Sequence, residues 1–295
     1  GIASCTDDIE IAVNNPAIDL GADTLTICSA DSVLLDAGAG FDTYSWNTGE
    51  TTQSIYANSS GTYSATVGDS TPVVNNHSME FDMMDDYIEC PNAVIPSSGN
   101  VTIMSWAYCP YQVETGGQGG SPDNGGFGNG FRQVISQGDN SSAYFIGYEP
   151  AGTMRVFHQW QNIPVQYPFG EWVHISVVSR ENTGTELYLN GILEAQTNLT
   201  GLPNPGNFRI GRQWQGAIQS HEDWFGNIDD VSIWNTALSQ SEIQQYMNCP
   251  PTGNESGLVG YWNFEEGSGT AALDLTTNGN NGTINGASYD TDTPE

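Results

Sequence analysis

The sequence predicts an all-β chain with one short helix, arranged as a small sandwich followed by a larger one. Three observations carry this. Short runs of alternating apolar and polar residues, rich in Val, Ile, Thr, Tyr and Trp, recur along the chain, as half-buried strands require. Turns of Gly, Asn and Asp separate these runs, and 35 glycines and 14 prolines in 295 residues supply them. Only the stretch 226–247 has good helical spacing: Ser239 and Glu242 form a capping box, and Leu238, Ile243, Tyr246 and Met247 make an apolar stripe. Ahead of that helix Ile228, Val231, Ile233 and Trp234 read as a strand carrying the adjacent carboxylates Asp229 and Asp230. A chain of this length suits two sandwiches better than one.

The charge excludes several function classes. Five Lys plus Arg stand against 35 Asp plus Glu, a net charge of −30, and all five cations are arginine. Such a surface repels nucleic acid and anionic membrane, because phosphate binding needs clustered cations, and it favours divalent cations or a saline medium. No signal peptide or membrane span is read, so we expect a mature extracellular protein or a piece of a longer one. Cys5, Cys28, Cys90, Cys109 and Cys249 are too widely spaced for zinc. Two disulfides and one leftover thiol are the plainest expectation in an oxidising compartment. Sequons at Asn58, Asn100, Asn140 and Asn198 are short enough to arise by chance in an Asn-rich chain.

Residues 1–16 hold one alternating strand, Cys5 to Val13, ended by Asn14 to Pro16. Residues 17–72 then show short strands near Leu25 to Cys28, Ser32 to Asp36, Ser45 to Trp46, Gln53 to Tyr56 and Gly61 to Val67. The wording DLGADTLTIC, VLLDAGAGFDTYSWNTGETTQSI and SGTYSATV resembles the immunoglobulin-like repeats of large surface adhesins from gliding bacteria that use type IX secretion. In those repeats a Cys-bearing strand follows the TYSATV strand; here the equivalent text, CTDDIEIAV, opens the chain. Either this strand folds back, pairing Cys5 with Cys28, or it completes a neighbour. An open sheet edge beside an available strand favours self-completion.

Residues 73–295 form the larger predicted domain. HSMEFDMMDDYIECPN, VTIMSWAYCP, RQVISQGD, AYFIGYEPAGTMRVFH, the hairpin WVHISVVSRENTGTELYLNGILEA and FRIGR read as successive strands. Asn190 and Gly191 are the turn pair that two-residue hairpins prefer. In order, these segments resemble bacterial laminin-G-like (concanavalin A-like) jelly rolls, and the strand with its capped helix resembles their closing segment. GLVGYWNFEEGSGTAALDLTTNGNNGTINGASYD resembles the family's first strand and loop, yet follows the last. A circular permutation accounts for this, since domain termini lie close together; donation of the strand to another module is the alternative.

Calcium wants six to eight oxygens, and Asp274 with Asn278 and Asn280 lies in an oxygen-rich loop, DLTTNGNN. The resemblance implies that this loop and the acids of the closing strand, Asp229 and Asp230, surround a calcium ion, although Thr277 replaces a family glycine. The structural alternative is a plain Asn-Gly turn. Asp82, Asp85 and Asp86 form a second acidic cluster, read as a polar turn. For glycan, where sugars stack on aromatics and polar groups take hydroxyls, the candidates are Arg212, Trp214, His221, Asp223 and Trp224, with Trp160, Gln159 and Tyr167 as a second group. The alternative is that each Trp is core. Gly116 to Gly130 reads as a surface loop. Catalysis lacks support: no Glu-x-Asp-x-Glu strand occurs, Glu265 and Glu266 are adjacent on a predicted strand, and His174 reads as a packed strand residue. Cys90 with Cys109 is the remaining disulfide expectation.

The sequence therefore predicts a non-catalytic, calcium-stabilised adhesion or recognition segment of a bacterial surface protein, secreted and binding glycan or a cell-surface protein. A filament subunit assembled from copies of itself by exchange of terminal strands is the alternative, and a glycoside hydrolase the third reading.

Overall fold

The structure is a computed structural model that describes residues 32–38, 41, 43–59, 61–68, 75–112, 131–138, 143–156, 162–198, 206–215 and 220–294. The chain divides into two compact units, Gly1–Val74 and Asn75–Glu295. The expected strands at Cys5 to Val13 and Leu25 to Cys28, with both their cysteines, lie outside the described residues.

The first unit has strands β1 (Val33–Asp36), β2 (Thr43–Trp46), β3 (Ser54–Ala57) and β4 (Ala65–Gly68). β1 pairs with β3 and β2 with β4, both antiparallel. Leu35, Ile55 and Ala57 of one ladder and Trp46 of the other share a single apolar cluster. Burying a Trp leaves an N–H to satisfy, and Trp46 Nε1 donates to Thr52 O at 2.8 Å.

The second unit begins with β5 (Ser78–Asp82), β6 (Tyr87–Cys90), β7 (Val101–Tyr108), β8 (Arg132–Gln137), β9 (Tyr144–Tyr148), β10 (Thr153–Val156) and β11 (Asn162–Gln166). It continues with β12 (Trp172–Arg180), β13 (Gly184–Leu189), β14 (Ile192–Thr197), β15 (Phe208–Ile210), β16 (Arg212–Gln215), β17 (Ser220–Asp223) and β18 (Phe225–Trp234). Helix α1 (Gln240–Asn248) precedes β19 (Leu258–Trp262), β20 (Ala271–Ala272), β21 (Gly282–Asn285) and β22 (Ser288–Asp290). One sheet has the order β11-β10-β9-β8-β15-β6-β21-β20; the other has β14-β13-β12-β7-β18-β5-β22, with β19 also on β18.

Period-two alternation explains which face each sheet buries. On β7, Val101, Ile103 and Ala107 enter the core between the sheets, with Cys109 just after the strand, as do Val173, Ile175 and Val177 of β12. From the first sheet Ile88, Tyr144, Ile146, Met154 and Phe208 meet them, with Trp262 stacked on Phe208 at 5.2 Å. The other face of the second sheet is covered at one end by α1: Met104, Val178, Trp234 and Tyr261 form a second cluster with Leu238 and Ile243.

The helix is the capped one the sequence predicts. Ser239 Oγ accepts from Glu242 N, and Glu242 Oε2 accepts from Ser239 N at 2.7 Å. Asn190 and Gly191 turn β13 into β14, both at positive φ. Leu258–Trp262 lies antiparallel against β18 of its own chain, while β21 joins β6 and β22 joins β5, so the C-terminal stretch contributes to both sheets.

The predicted Cys90–Cys109 disulfide is corrected: both thiols are free and buried. Cys90 belongs to β6 in the first sheet, where its Sγ donates to Asn280 O at 3.2 Å. Cys109 follows β7 in the second sheet and lies 3.3 Å from Tyr148 Oη. Glu265 and Glu266 occupy a turn after β19 rather than a strand, because Phe264 and Gly267 both adopt positive φ.

Candidate ligand-binding face

α1 covers only one end of the outer face of the second sheet. At the other end Trp172 of β12 lies opposite Tyr108 of β7, which lies opposite Asn227 of β18, which lies opposite Glu80 of β5. The neighbouring row runs from His174 through Trp106 to Asp229. Trp106, Tyr108 and Trp172 are half-buried, so their rings are offered to solvent while held in place. The Tyr108 and Trp172 rings are 5.8 Å apart, and Trp106 meets the His174 ring edge-on at 5.1 Å. Trp172 Nε1 donates to Asp292 Oδ1 at 3.1 Å; Asn227 Nδ2 donates to Ser78 Oγ at 3.0 Å and to Asp290 Oδ2 at 3.2 Å. His174, two residues along β12 from Trp172, is a buried member of this same face, and burial pushes its imidazole down to about 3.

Beside the aromatics lies a group of acids. β18 leaves β5 and takes up β19 at a register break around Asp229 and Asp230, and Asp230 has φ 47°. Asp229 accepts from Asn75 Nδ2 at 2.8 Å and Asp230 accepts from Tyr261 Oη. Glu265 Oε1 accepts from Asn76 N at 2.8 Å and from His77 N at 2.9 Å. Burial, then the neighbouring Asp230 charge, raises Asp229 well above the carboxylate range. Burial raises Asp230 to about 6, against the Tyr261 hydrogen bond and with Glu265 adding to the rise.

The five predicted calcium ligands do not converge. Asp274 Oδ1 accepts from Tyr261 N and Thr276 N, its Oδ2 from Asn280 N and Nδ2, and the Asn278 and Asn280 amides donate to Val259 O. Asp274 thus organises its own turn, and its oxygens already serve main-chain and amide donors. Asp230 and Asp274 hold opposite ends of Tyr261, one at the hydroxyl and one at the main-chain nitrogen, whereas calcium ligands crowd within 2.3–2.6 Å of one ion. Asp229, Asp230 and Glu265 repel one another, but their oxygens likewise already accept hydrogen bonds, from Asn75, Asp230 N, Tyr261, Asn76 and His77. Asp82, Asp85 and Asp86 gather their oxygens within 4.8 Å, but their hydrogen bonds run inside a turn, from Met84 N to Asp82 and from Asp82 N to Asp86.

The predicted glycan residues of the β16–β17 hairpin sit elsewhere. Arg212 and Asp223 are buried cross-strand partners joined by an ion pair, with the guanidinium 4.2 Å over the Tyr87 ring. Trp224 is fully buried against Tyr148 and Tyr167, and Tyr167 itself is core, donating to Ala107 O. Trp214 and His221 face each other in register, but their side chains, like Trp160, Gln159 and residues 116–130, lie outside the described residues. Glu265 and Glu266 anchor main chain, Glu266 accepting from Leu273 N, and form no acid–nucleophile pair across a cleft.

Trp106, Tyr108 and Trp172 were not read as ligand residues from the sequence. The signal is nonetheless there: in VTIMSWAYC and EWVHISVV the apolar positions alternate with aromatics, so the aromatics fall on the face turned away from the core.

Two antiparallel sheets around one core, closed by a strand and a capped helix, carry the sequence profile of the concanavalin A-like lectin/glucanases superfamily over residues 82–244, more than half of the chain. The chain belongs to this superfamily. A Bacteroides ovatus protein to which carbohydrate binding is ascribed superposes with a TM-score of 0.60 at 20% identity, covering 83% of this chain and 68% of that one. The native heptameric SAP-like pentraxin of Limulus polyphemus superposes with a TM-score of 0.49 at 13% identity, covering 74% and 95%. No curated protein matches the sequence. Among the described residues no helix is long and apolar enough to cross a membrane.

Proposed function

We propose that the chain is a non-catalytic recognition segment of a secreted bacterial surface protein, and that its second unit binds glycan on the face formed by β7, β12, β18 and β5. The observation that carries this is the group of half-buried Trp106, Tyr108 and Trp172, held side by side next to hydroxyl acceptors at the end of the sheet that α1 leaves uncovered. Flat rings fixed by the sheet stack on sugar C–H faces with little ordering cost, and the adjoining carboxylates at the rim take hydroxyls. The superfamily, and the carbohydrate binding ascribed to the Bacteroides ovatus protein, support the reading. The first unit is read as immunoglobulin-like, supported by its β1–β3 and β2–β4 pairing and its buried Trp46. Calcium stabilisation is part of the same reading, supported by the net charge of −30, which favours divalent cations.

The experiment is a glycan-array screen of the purified chain and of Trp172→Ala and Tyr108→Ala. Loss of binding in both variants, with the unfolding transition of the second unit retained, supports the reading. Undiminished binding in both refutes the assignment of this face.

A further inference from the structure

Resting on that reading, we infer that the ligand is an uncharged glycan of several sugar units, and that Asp290 and Asp292, with Glu80, set this specificity. All three acids belong to the rim of the aromatic face. Glu80 and Asp292 are exposed, and Asp290 lies opposite Ser78 on the edge strand β22. Burial acts to raise the Asp290 carboxyl, but hydrogen bonds from Asn227 Nδ2 and from Thr291 and Asp292 N–H outweigh it and hold it below its ordinary value.

The cations are elsewhere. Arg132, Arg155 and Arg209 belong to strands of the first sheet, and Arg212 to the β16–β17 hairpin. Arg180 ends β12, eight residues along the strand from Trp172, and is paired with Glu186 at 3.2 Å. A sugar carboxylate or sulfate on this face therefore meets three carboxylates and no guanidinium, the reverse of what anion recognition requires. Uncharged hydroxyls suit the same carboxylates, which only accept hydrogen bonds.

The row from Trp172 through Tyr108 and Asn227 to Glu80 crosses three strand intervals. At about 4.8 Å per interval that is roughly 14 Å, which fits an extended chain of sugar units better than a single one. The acids also do not act only as charges: Asp292 fixes the Trp172 indole and Asp290 fixes the Asn227 amide. All three acids lie outside residues 82–244, Glu80 just before the superfamily match and Asp290 and Asp292 in the segment after it.

The test is isothermal titration of the full chain, at about 50 mM salt where surface charge is weakly screened, against neutral cello-, laminari-, xylo- and mannohexaose and against hexagalacturonate. We expect a neutral hexaose to bind and hexagalacturonate to bind at least about tenfold more weakly, the scale of one unfavourable charge contact. Asp290→Asn/Asp292→Asn, checked for folding by near-ultraviolet circular dichroism, is expected to raise the acidic-to-neutral affinity ratio by about tenfold. Glu80→Gln, an exposed single change, is expected to raise it by a smaller factor. Hexagalacturonate binding the wild type as tightly as a neutral hexaose, with loss in Trp172→Ala, overturns the ligand class and leaves the glycan face standing. Failure of every oligosaccharide to bind overturns both.

Discussion

His174 offers a sharp check on how the binding face is supported. It lies on β12, which runs between β7 and β13; its side chain is buried against the Trp106 ring with Nδ1 3.2 Å from Ser176 Oγ, and burial holds it near 3 rather than the ordinary 6.5. The folded state therefore binds fewer protons than the unfolded chain between these values. Its contribution is present above about pH 6.5 and is lost as the pH falls. At pH 4.5 the loss amounts to about 3 kcal/mol. Asp86 acts in the opposite sense. Burial, with Asp82 and Asp85 adding to it, raises Asp86 to about 6 from 3.8, so acidification to pH 4.5 returns about 2 kcal/mol. The wild type should thus lose only about 1 kcal/mol from this pair between pH 7 and 4.5, whereas His174→Gln should gain about 2 kcal/mol. Other carboxylates are common to both proteins and cancel in the comparison. The assay is urea unfolding of the second unit at pH 7 and 4.5, where the two proteins should diverge by roughly 1 M in midpoint. Parallel pH dependence in wild type and variant refutes a buried, neutral imidazole.

Three further outcomes are expected. Millimolar calcium should stabilise the second unit by about 1.4 kcal/mol for a dissociation constant near 10⁻⁴ M; calorimetry with and without chelator showing no change refutes calcium stabilisation. Gly226→Ala should destabilise by more than about 2 kcal/mol, because Gly226 has φ 108° and an added Cβ would fall 2.2 Å from Tyr108 O; a melting temperature unchanged from wild type contradicts that geometry. Cys90 and Cys109, both raised by burial and Cys90 to about 12, should resist alkylation until the chain unfolds and then label fully without reductant; labelling that requires reductant restores the disulfide.

The sequence by itself determined what depends on neighbours along the chain. Ser239 and Glu242 specify a helix start, Asn190 and Gly191 a hairpin, and the alternation in EWVHISVV a strand with one apolar face, because each is settled within a few residues. The jelly-roll reading came from the resemblance of those segments, in their order, to laminin-G-like domains. What the sequence could not rank were residues whose role is set by partners far away. Arg212 and Asp223 looked like ligand groups, but the cross-strand register closes them on each other. Asp274 looked like a calcium ligand, but its oxygens meet Tyr261 N from β19 and Asn280 from the following turn. Trp106, Tyr108 and Trp172 looked like ordinary strand aromatics. They become one surface only because β12 pairs with β7, β7 with β18 and β18 with β5, while α1 covers the other end of the sheet. Period two tells which face a side chain takes, but only strand pairing brings residues 80, 108, 172 and 227 into one row, and that pairing is settled by long-range burial.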